Sequence, residues 1–139
     1  MVSRIFVNLP VKELPRSIAF FTALGFTFNA QFTDENATCM IVGENIFVML
    51  LTEGMFQGFT PKPLVDAHTA TEVLIALSME SRAKVDELVA AAVAAGGKLP
   101  REPQEHGFMY AHAFEDLDGH IWEPFWMAPP PSSEAAPTG

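Results

Sequence analysis

The order of strand-like and helix-like runs constrains this chain most. "RIFVNLPV" (4–11) is β-branched and aromatic enough for a strand. The run "LPRSIAFFTALGF" follows, with Pro15 suited to a first helical turn, Ile18, Phe21 and Leu24 near helical spacing, and Gly25 as a stop. "FTFNAQF", "TCMIVG" and "NIFVMLLT" then read as three strands, the last two joined across Gly43, Glu44 and Asn45. Residues 53–71 hold two glycines and two prolines and read as a connecting loop. The order then repeats. "TEVLIALSM" is a strand, and Ser81 is an N-cap for "RAKVDELVAAAVAAGG". In that helix Val85, Leu88, Val89, Ala92 and Val93 form one apolar face, and Gly96 and Gly97 end it. "KLPREPQEHGF", "FMYAHAFE" and "HIWEPFWM" supply an extended segment and two strands. The expectation is an α+β fold in one domain, residues 1–127. Two β-α-β-β-β modules, about 1–56 and 70–127, are joined by loop 57–69 and form a curved mixed sheet around a cavity. The Pro/Ala/Ser-rich end, 128–139, is expected to be a flexible tail.

Charge and cysteine content narrow the function classes. The net charge is −9, and only eight basic residues are scattered along 139, so a phosphate-backbone partner is not expected. Apolar residues make up 49%, enough for a real interior. Cys39 is the single cysteine, which removes an intrachain disulfide and a thiolate zinc cluster from consideration. No run approaches a membrane-spanning length, and the N-terminus lacks the apolar core of a secretion signal. A soluble, cytoplasmic protein is the expectation.

Near the C-terminal end, "FEDLDGHIWEPFWM" raises a chemical question. Glu123 is a carboxylate inside an aromatic strand, which is costly unless something neutralises it. If the Asp-Leu-Asp-Gly turn closes with Asp116 opposite Gly119, His112 lies opposite Glu123 on the same face, and Tyr110 opposite Phe125. Such a pair could hold the carboxylate ionised, transfer protons, or form a two-point metal site. The plainer reading is a structural pair, or an outward-facing glutamate. His120, His106 and His68 read as surface or loop residues, and Cys39 as a small core residue.

Two stretches, "VNLPVKELPRSIAFFTALGF" and "FEDLDGHIWEPFWM", together with the doubled module order, resemble the glyoxalase / bleomycin-resistance / extradiol-dioxygenase proteins, also called the vicinal oxygen chelate superfamily. The resemblance spans roughly residues 2–127. It implies a cavity on the inner face of the sheet where metal-dependent members hold a divalent ion as a Lewis acid. Glu123 falls at the last-strand ligand position, while Phe6, Leu50 and Leu74 fall at the other three. Phenylalanine and leucine cannot coordinate an ion. A two-residue slip in the first strand brings in Asn8, a neutral oxygen donor.

The expected ligand pocket is therefore Phe6, Asn8, Leu50, Leu74, Tyr110, His112, Glu123 and Phe125, apolar with a few polar handles. Glu123 and His112 are the candidate catalytic residues, and Glu123 is also the one weak candidate metal ligand. The leading expectation is a metal-free binder of a small molecule, with no cofactor. One alternative is a lyase of the lactoylglutathione-lyase kind or a dioxygenase, with a divalent metal held by Glu123, His112 and Asn8. Another is a dimeric structural protein without a small ligand. A homodimer is expected from the resemblance and from the low share of charged residues, 18%.

Overall fold

The structure is a computed structural model that describes residues 1–129. The tail expected over 128–139 therefore lies almost entirely outside the described residues. Strand β1 (Ile5–Val11) leads to helix α1 (Leu14–Ala23), with Pro15 in its first turn and Gly25 at φ +101° just beyond its end. Strands β2 (Thr27–Asn29), β3 (Ala37–Gly43) and β4 (Ile46–Thr52) complete the first half. Between β2 and β3 the chain makes a 3-10 turn over Ala30–Phe32, so the strand expected through "FTFNAQF" is cut short. The Asn29 side chain accepts the Gln31 amide hydrogen and starts that turn.

A short helix, α2 (Glu53–Gln57), follows β4 directly, capped by the Thr52 hydroxyl, where only loop was expected. The second half carries β5 (Leu74–Ser78) and α3 (Arg82–Ala94). It continues with β6 (Gln104–Glu105), β7 (Met109–Ala111), β8 (Phe114–Glu115) and β9 (Ile121–Met127). Ser81 caps α3 as its sequence position predicts, accepting from the Lys84 amide, and Gly96 turns the chain at φ +109°.

The strands form two mixed sheets that are not joined by a ladder. The first runs β1-β4-β3-β2; the second runs β5-β9-β7-β6, with β8 also on β9. In each, one parallel pair (β1 with β4, β5 with β9) brackets the helix between its strands. The helix-side faces of both sheets share one core. Phe20 and Phe21 of α1 meet Phe114 and Trp122 of the second sheet, with the Phe21 and Trp122 rings 5.1 Å apart. Truncating a ring this deep costs about 3–5 kcal/mol, so this cluster ties the halves together.

A polar seam adds to it. Asp118 accepts the Lys12 amide hydrogen at 2.8 Å and the Ser17 hydroxyl at 3.2 Å. The His120 Nε2–H donates to the Pro10 carbonyl at 2.7 Å.

Candidate functional site

The turn before β9 decides which side chains share a face. The Asp116 amide donates to the His120 carbonyl, and the Gly119 amide donates back to Asp116. Residue 116 therefore pairs with 120, across a three-residue loop with Gly119 at φ +89°. That is a type I turn followed by a glycine bulge, not the two-residue turn expected. Buried Asp116 organises the loop: its carboxylate accepts the Asp118 and His120 amides and the Trp122 indole N–H at 2.9–3.0 Å. Burial raises its pKa, opposed by the nearby His120 and these three donors.

The extra loop residue shifts the register by one, and a one-residue shift exchanges faces. Ala111 pairs with Phe125 and Phe114 with Trp122, so His112 lies opposite Pro124, to whose carbonyl its amide donates. The expected pairings of His112 with Glu123 and of Tyr110 with Phe125 do not form. Tyr110 and His112 sit on the helix side. The Tyr110 hydroxyl donates to Asp86 of α3 at 2.6 Å, and His112 Nδ1 accepts the Ala113 amide. Hydrogen bonding to Asp86 is the main reason the Tyr110 pKa is pushed up to about 12. Leu50 is a further correction: paired with Leu9 and Thr38, it is fully buried in the core beneath the helices.

The other expected pocket residues lie on the faces turned away from the helices. On the second sheet Leu74, Glu123 and Phe125 share that face with Ala76, Ser78 and Ile121. On the first, Phe6 and Asn8 lie beside Phe47 and Met49, and the Phe6 and Phe47 rings stack at 4.9 Å. Glu123 is neutralised there by Arg101, whose Nη2 donates to Oε2 at 2.8 Å. Their side chains keep only 25% and 27% of their exposure. Arg101 Nη1 also donates to the Glu102 carbonyl, which aims the guanidinium. Cys39 is buried, which pushes its thiol pKa up and leaves it a poor nucleophile at neutral pH.

A cavity that the sequence reading missed lies under segment 58–73. One lobe, of about 350 Å³, is walled mainly by apolar groups including Phe56, Leu64, Val65, Val73 and Ile121. An adjoining lobe, of about 650 Å³, carries Glu53, Asp66, Asp118, Lys12, His68 and His120. Its sequence signal is slight: Leu64 and Val65 stand beside Asp66 in a run that reads as a connecting loop.

The family model for the Glyoxalase/Bleomycin resistance protein/Dioxygenase superfamily matches residues 5–123. The chain belongs to that superfamily. Among solved structures it is similar to hypothetical protein SA1046 from S. aureus, at 30% identity, covering 93% of this chain and 95% of that one, with a TM-score of 0.76. A glyoxalase-related enzyme from Fulvimarina pelagi shares the fold at 20% identity, 90% and 88% coverage and a TM-score of 0.75. So does a glyoxalase/bleomycin resistance protein/dioxygenase family enzyme from Burkholderia phytofirmans PsJN, at 17% identity, 88% and 96% coverage and a TM-score of 0.73. No curated protein matches the chain.

The residues present do not fit the divalent ion of metal-dependent members. Around Glu123 the strand positions on its face are Leu74, Ala76, Ile121 and Phe125, with the Ser78 hydroxyl opposite Phe125. Among the described residues no three His, Cys, Asp or Glu side chains converge on one point. A single carboxylate already paired to a guanidinium is a poor start for an ion that needs four or more donors.

Proposed function

We propose that this protein binds a small, largely apolar molecule against the helix-free faces of its sheets, without a divalent ion. The observation that supports this reading most is the Arg101–Glu123 pair. The guanidinium supplies the positive charge that an ion would otherwise bring to Glu123, and it cannot act as a Lewis acid. The surrounding Leu74, Ile121 and Phe125, and the Phe6, Phe47 and Met49 patch, offer contact area rather than coordination. The rebuilt metal site of the enzyme alternative needs His112, which faces the helices.

A homodimer is part of the proposal. On the helix-free faces Phe6 and Leu74 are about half exposed, an unusual waste of apolar surface that a second copy would cover while closing the pocket. No helix among the described residues is long and apolar enough to cross a membrane. A cytoplasmic setting is proposed with the rest.

The test is elemental analysis of protein purified without added ions, with melting curves in manganese, nickel and zinc. The reading expects no stoichiometric metal and no rise in melting temperature, since an ion that binds only the native state must raise it. About one ion per chain together with a raised melting temperature would overturn it.

A further inference from the structure

We infer that the cavity beside segment 58–73 takes an organic cation with an apolar body. Its inner lobe borders the helix-free sheet faces at Asn8 and Ile121, while Glu53 and Asp66, which supply the charge, lie outside those faces.

The cavity has two neighbouring lobes of opposite character. Pro10, Leu64, Val65, Ala67 and His120 line both. The inner lobe is mostly hydrocarbon, and its volume suits a single aromatic ring with a short chain. Its charged rim, Lys62 and Glu72, is balanced. The outer lobe is not balanced: Glu53, Asp66 and Asp118 face it against one permanent cation, Lys12, beside the imidazoles of His68 and His120. Asp118 is already engaged by the Lys12 amide and by Ser17. Glu53 and Asp66 have no basic partner among the described residues. The chain's net charge of −9 adds a field of the same sign.

The roof is built rather than draped. Gln57 Nε2 donates to the carbonyls of Thr60 and Lys62, and Asp66 Oδ1 accepts the His68 amide. At the far side the Ala67–His68 backbone rests directly on Gly119, where a Cβ would lie 2.8 Å from it. The floor, Pro10 and His120, is the hydrogen-bonded seam between the halves. A ligand would thus meet a cavity already held open, which lowers the ordering cost of binding. An apolar ring would enter the inner lobe and an ammonium group would remain at Glu53 and Asp66.

The experiment uses the full chain, 2-phenylethylammonium, and its anionic counterpart 3-phenylpropionate, with amide chemical shifts followed by NMR at low ionic strength. The expected result is saturable movement of the Leu64, Val65 and Ala67 amides by the cation. The cation should bind about tenfold more tightly than the anion, the upper size that two exposed carboxylates give at low salt. The double variant Glu53→Gln with Asp66→Asn should bind the two probes equally. Asp66→Asn keeps the oxygen that accepts the His68 amide, so the roof survives. No saturable shift at residues 64–67 would overturn the inference. So would equal binding of the two probes by the unaltered chain, or a cation preference that persists in the double variant. Shifts confined to Met49, Glu123 and Phe125 would place the probe on the sheet faces and overturn it too, while supporting the proposed function.

Discussion

Replacing Arg101 by Met removes the guanidinium and keeps a long apolar stem, leaving Glu123 among Leu74, Ile121 and Phe125 with no positive partner. Fully exposed ion pairs contribute about 0–1 kcal/mol, and breaking a buried one costs about 3–5. With about a quarter of their exposure retained, at 27% and 25%, Arg101 and Glu123 fall between these limits. A coupling of about 1.5–2 kcal/mol follows. Glu123→Gln should be milder than Arg101→Met, because the freed guanidinium keeps its bond to the Glu102 carbonyl. The double variant should recover part of the loss, since no unpaired charge remains. Urea unfolding of all four proteins closes the cycle, and Arg101→Met alone should lower the melting temperature by roughly 5 °C. A coupling below about 0.3 kcal/mol, within the error of additivity, would show that the pair is a crystal-like surface contact and not what neutralises Glu123.

Gly119→Ala should destabilise by about 2 kcal/mol or more in chemical denaturation, because its Cβ meets the Ala67 backbone at 2.8 Å and φ is +89°. Trp122→Phe should cost about 1–3 kcal/mol, since the Asp116 oxygen that accepts its indole hydrogen loses that donor in a buried site. Tyr110, with its pKa raised to about 12, retains its proton in the folded chain where an unfolded tyrosine has begun to lose it. Its stabilising contribution is complete below pH 10 and is lost as pH rises toward 12. Tyr110→Phe should flatten that alkaline loss in melting curves. Sedimentation velocity should show a dimer at micromolar concentration, and a monomer would count against the proposed covering of Phe6 and Leu74.

Elements with a long period or a strong cap were legible in the sequence. Helix α3 begins after Ser81 and turns at Gly96 because a hydroxyl acceptor and a left-handed glycine leave few alternatives. Helix α2 was not legible: five residues including Gly54 show no periodicity, and only the Thr52 cap marks its start. The site was harder still. Its faces depend on whether 117–118 or 117–119 form the hairpin loop, and Asp-Leu-Asp-Gly accommodates both. Once Gly119 takes positive φ, His112 and Tyr110 turn to the helices while Glu123 stays outside. Arg101, 22 residues before Glu123, lies in a stretch read only as extended, so its role rests on tertiary placement. Its one sequence signal is that no lysine or arginine follows it.

The two sheets share a core and a seam but no ladder of backbone hydrogen bonds. Nothing in the main-chain pairing therefore sets the angle between them. That angle follows from how deeply Phe20 and Phe21 seat against Phe114 and Trp122, with Asp118 and His120 acting as the pivot. A change of one or two methylenes among those rings would swing one half of the molecule as a body, widening or narrowing the gap its outer faces border while every strand keeps its partners. The width of that gap is tunable from the interior, by residues that do not border it.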